Sequence, residues 1–205
     1  MLRKLFLSAA FSTALLAVPA FAQEVSHDPA TVQAGAYDVE PLHTRVLFSV
    51  SHLGFTTWYG EFTKVSGSLS LDPKSVGKST LEIHIPVDSV STSNAKVDGE
   101  LKDQPWFDAK QFPEIVFKAD KVTEAGKGSA KVAGTLTLHG VTKPVTLDVD
   151  ASTTPMDSPM DHKTHTGFSA TTTIKRTDFG IGTSFPTAAV GDDVQLTIDL
   201  EAIKQ

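Results

Sequence analysis

The chain has 205 residues, of which 40% are apolar and 20% are charged, and it contains no Cys. This composition indicates one globular domain and excludes a disordered tail, a disulfide framework and thiolate chemistry. With 18 Lys+Arg against 24 Asp+Glu, the chain also lacks the basic face that a general nucleic-acid-binding protein needs.

Residues 1–22 have the features of a secretory signal peptide. Arg3 and Lys4 precede the almost uncharged run from Leu5 to Val18, and Ala20-Phe21-Ala22 fits a small-x-small cleavage site. The apolar run is shorter than the roughly 20 residues of a transmembrane helix. We therefore expect Sec-type export to the periplasm and cleavage of residues 1–22. The mature chain would keep 16 Lys+Arg against 24 Asp+Glu, which is a net charge of −8.

The mature chain is predicted to be almost entirely β-strand. Residues 23–36 are polar and are expected to form a flexible lead, and residues 37–205 a single domain. Apolar and polar residues then alternate in about eight segments, of which Val46, Phe48 and Val50 mark the first. This alternation is typical of strands with one buried face. The short Gly-, Asp- and Pro-containing connections favour an all-β domain, either a closed antiparallel β-barrel or a sandwich.

Two segments depart from the alternation. Ser93 to Gln104 carries Val97 and Leu101 four residues apart and is followed by Pro105, which predicts a short helix with Ser93 as its N-cap. Thr153 to Thr166 is rich in polar residues and Pro, and we interpret it as a loop.

The apolar strand faces allow two interpretations. An eight-stranded barrel can be filled by its own side chains or can hold one small ligand. Many large aromatic residues lie near strand ends and in loops, where they often line the mouth of a cavity. An apolar cavity would favour a long hydrocarbon guest, because each buried methylene contributes about 0.8 kcal/mol. The candidate ligand contacts are Phe48, His52, Phe55, Trp58, Phe62, Leu101, Trp106, Phe117, Leu136, Phe168, Ile174 and Phe179.

Three kinds of polar residue are candidates for specific roles. His52 comes two residues after Val50 and is therefore expected to face the same, inward side of the strand. It is either a contact for the head group of a ligand or a structural histidine. Arg176 and Asp178 flank a turn, where a structural ion pair or a loop clamp is favoured over ligand contact. His84 and His139 lie on the polar parity or in a turn and are predicted at the surface.

The sequence offers little support for metal chemistry or catalysis. His162 and His165 lie near Asp161, but this predicted loop has no further ligands close by, so no metal site is expected there. No nucleophile elbow of the Gly-x-Ser-x-Gly type occurs. We therefore expect a protein that is not an enzyme and requires no cofactor.

Several distinctive motifs occur in order along the chain. They include Tyr37-Asp38-Val39-Glu40, His43-Thr44, His52-Leu53-Gly54-Phe55, Asp88-Ser89-Val90-Ser91-Thr92, Trp106-Phe107-Asp108, Gly134-Thr135-Leu136-Thr137-Leu138-His139-Gly140 and Lys175-Arg176-Thr177-Asp178-Phe179-Gly180. Over residues 37–202 the chain therefore resembles the YceI-like family of bacterial periplasmic proteins. The resemblance implies a lipocalin-like, eight-stranded antiparallel β-barrel with a short helix. Its cavity would hold a polyisoprenoid, quinone-type or fatty-acyl lipid.

The resemblance also implies partners and shows two departures. It implies a periplasmic lipid-binding or carrier protein with an amphiphilic lipid as ligand; transient membrane contact and a homodimer are compatible with it. The family often has His-Ser where this chain has His43-Thr44. It often has Arg-Asp-x-His-Leu where this chain has Val97-Asp98-Gly99-Glu100-Leu101. If these polar groups contact a ligand head group, Val97 and Glu100 would change which head group is contacted.

Three alternatives to a lipid carrier remain at this point. The first is an enzyme or redox accessory that acts on a bound quinone-like lipid. The second is an interaction module whose barrel is filled by its own side chains. The third is an outer-membrane barrel, against which outward charged residues such as Glu82 and Lys118 argue.

Overall fold

The structure, a computed structural model, describes residues 31–126, 128–151 and 156–205. The predicted signal peptide lies outside the described residues. The described residues form strands β1 to β12 and one α-helix, α1, with these bounds: β1 Gly35–Val39, β2 Arg45–His52, β3 Thr56–Phe62, β4 Ser66–Leu71, β5 Thr80–Pro86, β6 Val90–Ser91, α1 Ala95–Lys102, β7 Glu114–Gly126, β8 Ser129–Leu138, β9 Val141–Ala151, β10 Met156–Asp157, β11 Thr164–Lys175 and β12 Val190–Lys204.

Antiparallel pairing closes eight of these strands into a ring. The order around the ring is β1, β4, β5, β7, β8, β9, β11 and β12, and β12 returns to β1. β12 is long enough to pair with β1 near its C-terminus and with β2 over the rest, and β3 and β6 continue from β2. This arrangement confirms the predicted barrel and excludes the sandwich.

The strand alternation predicted from sequence places the apolar side chains inside the barrel. β8 buries Val132, Leu136 and Leu138 and leaves Lys131 exposed, in the pleated alternation of a half-buried strand. Its neighbour β9 places Leu147 directly opposite Val132. Because register fixes which parity faces inward, these cross-strand pairs keep the apolar residues on one side of the wall.

The two ends of the barrel differ. At the end where β5 and β8 finish, the barrel is covered by α1, by residues 103–112 and by residues 176–189; we call this the helix end. At the opposite end lie the β4–β5 connection, residues 72–79, and the β7–β8 hairpin; we call this the hairpin end. Within the described ranges, no helix has the length and hydropathy needed to cross a bilayer.

α1 forms where the sequence predicts a helix, but its N-cap is one residue later. The Asn94 side chain accepts hydrogen bonds from the backbone N–H groups of Lys96 (3.1 Å) and Val97 (3.4 Å). Ser93 instead has a positive φ of 61° and lies just before the cap. The prediction of Ser93 as the N-cap was therefore wrong, because only the Asn94 oxygen reaches the free N–H groups of the first turn.

We expect Asn94→Ala to lower the free energy of unfolding by about 1 kcal/mol, the usual cost of removing an N-cap side chain. Ser93→Ala is the matched control and should change it by less than about 0.5 kcal/mol, because the Ser93 hydroxyl caps no helix N–H group. Urea unfolding followed by circular dichroism measures both values. Equal losses in the two variants would contradict the assignment of the cap.

Two predicted irregular segments contain more structure than expected. In the predicted lead of residues 23–36, Val32 is buried and β1 already begins at Gly35. In the predicted loop from Thr153 to Thr166, β10 pairs with the start of β11, and the Thr164 hydroxyl donates to the Asp157 carboxylate (2.7 Å). The β10 pairing arises because the start of β11 extends beyond its pairing with β9, which local composition does not reveal.

Candidate ligand-binding cavity

An apolar cavity of about 340 Å³ runs through the barrel interior. Its lining comes from strands of the ring and from β2 and β3, and it consists mainly of aliphatic and aromatic side chains. The barrel is therefore not filled by its own side chains. This observation contradicts the interaction-module alternative with a plugged interior and supports the cavity interpretation.

Eight of the twelve predicted ligand contacts line this cavity. They come from five strands, from α1 and from the segment after it: Phe48, Phe62, Leu101, Trp106, Phe117, Leu136, Phe168 and Ile174. On the strands, all of them have the inward parity that the alternation predicted.

The other four predicted contacts lie outside the lining. Phe55, at the β2–β3 turn, is 83% exposed, and Trp58 on β3 is also exposed. His52 lies one inward position beyond Val50, the last residue of β2 in the lining, with its ring centroid 6.1 Å from that of Trp58. Phe179 is 2% exposed but packs in the turn after β11. Parity and aromatic character alone therefore do not distinguish these four residues from the eight that line the cavity.

Aromatic rings close the helix end of the cavity. Phe107 lies between Phe48 and Phe62, with ring centroids 6.4 Å and 5.6 Å away. Trp106 stacks on Phe185 with centroids 4.9 Å apart, and a Cβ at Gly182 would overlap the Trp106 ring. This close approach explains why glycine occupies position 182, where φ is also positive.

Arg176 holds the loop that covers this end. Its side chain is buried, with 3% exposure, and its guanidinium donates five hydrogen bonds of 2.6 to 3.0 Å. The acceptors are the backbone carbonyls of Ile181, Gly182, Phe185, Val190 and Gly191. A guanidinium has five N–H donors, so none is left for a ligand. The loop-clamp interpretation is confirmed.

Neighbouring side chains complete the clamp without an ion pair to Arg176. Asp178, the predicted ionic partner, instead approaches the Lys143 ammonium at 3.5 Å. Asp192 accepts hydrogen bonds from the Thr177 hydroxyl (2.7 Å) and amide (3.1 Å). The hydroxyl bond is the main reason why the pKa of Asp192 is lowered. These contacts join the turn after β11 to the start of β12.

The hairpin end of the cavity has a different character. Polar side chains enter the lining there, among them Asp72, Ser79 and Ser129. Among the described lining residues, the exposed ones are Thr80 and Glu124, and both lie at this end. The cavity therefore approaches solvent at the hairpin end and is covered at the helix end.

The two histidines predicted at the surface differ in environment. His84 is partly exposed between two carboxylates, with Nδ1 3.1 Å from Glu114 and Nε2 3.3 Å from Glu82. His139 is partly buried: its Nδ1 lies 3.0 Å from the Phe179 carbonyl and its ring meets the Phe112 ring edge-on. Both histidines are therefore partly exposed, and His139 differs in that its turn packs against the 176–179 segment.

The pKa of His84 should fall when Glu114 is replaced by Gln. The hydrogen bond to Glu114 is the largest cause of its raised pKa, and burial opposes it. A raised folded-state pKa means that these ion pairs stabilise the fold below about pH 6.5, where the unfolded histidine is also protonated. That stability is lost as the pH rises through the folded-state pKa. NMR titration of the His84 ring protons in both proteins measures the change, and an unchanged pKa would contradict the assignment.

A cluster of titratable groups on the outer face was not found by sequence analysis. His43 Nδ1 lies 2.8 Å from Glu40 Oε2 and 3.5 Å from Glu201 Oε2. His165 Nδ1 lies 2.5 Å from Glu201 Oε1, and its Nε2 is 3.0 Å from Asp161. Glu201 is more than 150 residues from His43 in the sequence, so no local spacing connects them.

Sequence comparisons agree with this architecture. The model of the YceI-like domain matches residues 37–202. A UPF0312 protein of Vibrio parahaemolyticus is 32% identical over 182 residues, covering 86% of this chain and 92% of that protein. A UPF0312 protein of Pseudomonas putida is 32% identical over 205 residues and covers both chains completely.

Solved structures show the same fold. BcnA of Burkholderia cenocepacia has a TM-score of 0.71 at 25% identity, covering 80% of this chain and 98% of BcnA. The YceI protein of Campylobacter jejuni has a TM-score of 0.68 at 33% identity, covering 76% of this chain and 90% of that one. A polyisoprenoid-binding domain from Saccharophagus degradans shares the fold at 15% identity, with a TM-score of 0.59, covering 84% of this chain and 100% of that domain. With its domain matched over residues 37–202, this chain belongs to the YceI-like family.

Proposed function

We propose that this protein is a periplasmic binding and carrier protein for a long apolar lipid. The ligand classes that fit are a polyisoprenoid, a quinone-type lipid or a fatty-acyl chain, held without covalent chemistry. The observation that carries the proposal is the unfilled apolar cavity of about 340 Å³ inside the closed barrel. Such a cavity and the YceI-like family favour a binding protein over an enzyme.

The size and lining of the cavity favour a hydrocarbon ligand. An apolar cavity of roughly 150 Å³ stays dry and binds small apolar molecules. The cavity here is about twice that volume, and its polar residues are concentrated at one end. Ten buried methylenes would contribute roughly 8 kcal/mol, against association costs of about 4–15 kcal/mol. A long tail is therefore needed for useful affinity, and a small polar metabolite would not bind.

The two ends of the cavity support one ligand orientation. At the helix end, all five N–H donors of Arg176 are already used, so this guanidinium would not bind a head group. At the hairpin end, Ser79, Ser129 and Glu124 offer polar groups near solvent. We therefore place the tail toward the helix end and the head at the hairpin end.

The comparisons support the ligand class and the signal peptide supports the location. The Saccharophagus domain, described as polyisoprenoid-binding, has the same fold.

Periplasmic location rests on the signal-peptide features of residues 1–22. We expect the mature protein to be recovered from the periplasmic fraction with Gln23 as its first residue, which intact-mass analysis measures.

Organic extraction of the purified protein followed by mass spectrometry tests the function. We expect about one lipid molecule per chain, with a hydrocarbon tail of at least ten carbons. The aqueous phase of the same preparation is the control for carry-over of membrane lipid. An extract without lipid, from a protein that also fails to take up added isoprenoid, quinone or fatty acid, would overturn the proposal.

A further inference from the structure

We propose that Glu40, His43 and Glu201 form a binding site for a divalent transition-metal ion on the outer face of the barrel. Glu40 and His43 belong to the turn between β1 and β2, and Glu201 belongs to β12. One atom from each residue lies within 4.8 Å of the other two. The site is separate from the cavity, and this inference does not depend on lipid binding.

The distances suit a small ion. A tetrahedral Zn²⁺ with ligands at about 2.0–2.1 Å requires neighbouring ligand atoms about 3.3 Å apart. His43 Nδ1 is 2.8 Å from Glu40 Oε2, a hydrogen bond, and 3.5 Å from Glu201 Oε2, so an ion bound at Nδ1 would take the place of a proton and lengthen the first distance by about 0.5 Å. One neutral imidazole and two carboxylates carry two negative charges, which a divalent cation neutralises. The imidazole favours a transition metal over Mg²⁺ or Ca²⁺.

A second histidine on the outer face shows why both carboxylates must approach the same ring nitrogen to share one ion with it. His84 also lies between two carboxylates, but Glu114 contacts its Nδ1 and Glu82 its Nε2. These two nitrogens are at different edges of the ring, so the two carboxylates cannot share one ion with either of them. At His43, both carboxylates approach the same nitrogen. His84 is therefore a matched control with the same residue types and no metal geometry.

Further contacts orient the three ligands. Glu201 Oε1 lies 2.5 Å from His165 Nδ1, and His165 Nε2 lies 3.0 Å from Asp161. This leaves Glu201 Oε2 facing His43, in the manner of outer residues that orient metal ligands. Glu40 is 7% exposed and accepts hydrogen bonds from the backbone N–H groups of Leu42 and His43. Burial works to raise the pKa of Glu40, but these bonds outweigh it and keep the carboxylate ionised.

The site is also accessible. The His43 side chain is 68% exposed and that of Glu201 is 31% exposed, so an ion can enter and can keep water as a fourth ligand. A bound ion would join the β1–β2 turn to β12, which closes the barrel. Binding to the folded state alone raises the unfolding temperature.

The test uses untagged protein stripped with EDTA and then titrated with ZnCl₂ by isothermal titration calorimetry and thermal unfolding. We expect one Zn²⁺ per chain and a higher unfolding temperature with Zn²⁺. His43→Gln and Glu201→Gln should each weaken Zn²⁺ binding by at least about 100-fold. His165→Gln should weaken it by about 10- to 100-fold, the usual effect of changing an outer residue. His84→Gln should leave it unchanged.

The unfolding temperature of each variant without Zn²⁺ shows that it is folded. No Zn²⁺ binding to the unsubstituted protein would overturn the proposal. So would equal binding by folded His43→Gln and unsubstituted protein, or a loss of binding confined to His84→Gln. Binding of Mg²⁺ or Ca²⁺ in preference to Zn²⁺ would overturn the proposed class of ion.

Discussion

Replacing Ala170 by Phe should remove the bound lipid, with at least about a tenfold drop in extracted lipid per chain. Ala170 lies on β11 and lines the cavity between Val149 and Ile198, its partners on the neighbouring strands. A benzyl group there would occupy the space that we assign to the tail. Overpacking a filled core typically costs about 1–3 kcal/mol, but this side chain would enter an open cavity, so folding should be preserved.

Thr171→Phe is the matched control for this prediction. Thr171 is the next residue of the same strand, and its side chain is exposed on the outer face. The same substitution there adds apolar surface without changing the cavity, so the lipid content should equal that of the unsubstituted protein. Unchanged lipid in Ala170→Phe, with the fold confirmed by circular dichroism, would show that the ligand does not occupy this cavity.

Replacing Arg176 by Met should lower the free energy of unfolding by about 3–5 kcal/mol. The substitution removes the guanidinium donor from five backbone carbonyls, of which that of Gly182 still accepts from the Phe185 N–H (3.0 Å). A buried polar group without a partner costs about 1–3 kcal/mol, and some of these carbonyls will regain water as the loop opens. Unfolding in guanidinium chloride measures this loss in the free energy of unfolding. Increased hydrogen exchange over residues 177–191 would locate it in the loop at the helix end.

Two further variants separate the clamp from a simple effect of charge. Lys175→Ala removes the adjacent cation, which is 55% exposed and contacts Asp193 at 2.7 Å; an exposed ion pair of this kind contributes little to stability, so the loss should be much smaller than in Arg176→Met. Arg176→Lys keeps the charge but has three donors, so its stability should fall between those of Arg176→Met and the unsubstituted protein. Equal losses in Lys175→Ala and Arg176→Met would contradict the clamp.

The inward faces of the strands could be predicted because they depend on local alternation. Val132, Leu136 and Leu138 are buried where a period of two places them. For the same reason, the cavity-lining residues on long strands, such as Phe117 and Phe168, could be identified from parity. His52 lies at a strand end outside the cavity lining, where parity still predicts the inward direction but does not predict which groups the side chain contacts.

Turn residues were predicted less well, because their partners are remote. Asn94 and Ser93 are both good N-cap residues, and only the backbone geometry distinguishes them. His139 follows a strand and reads as a surface turn residue, yet it contacts the carbonyl of Phe179 forty positions away. Composition cannot predict such contacts, since they depend on how the turns of separate hairpins pack together.

Sequence alone was sufficient for the strand pattern and the family, because hydrophobic periodicity and short motifs are properties of neighbouring residues. The signal peptide of residues 1–22 stays a prediction. Closure of the barrel through β12 and the open interior were decided by the tertiary structure. The same is true of the convergence of Glu40 and His43 on Glu201 and of the five carbonyls around Arg176. Each of these depends on strand register or loop packing, which brings together residues far apart in the chain.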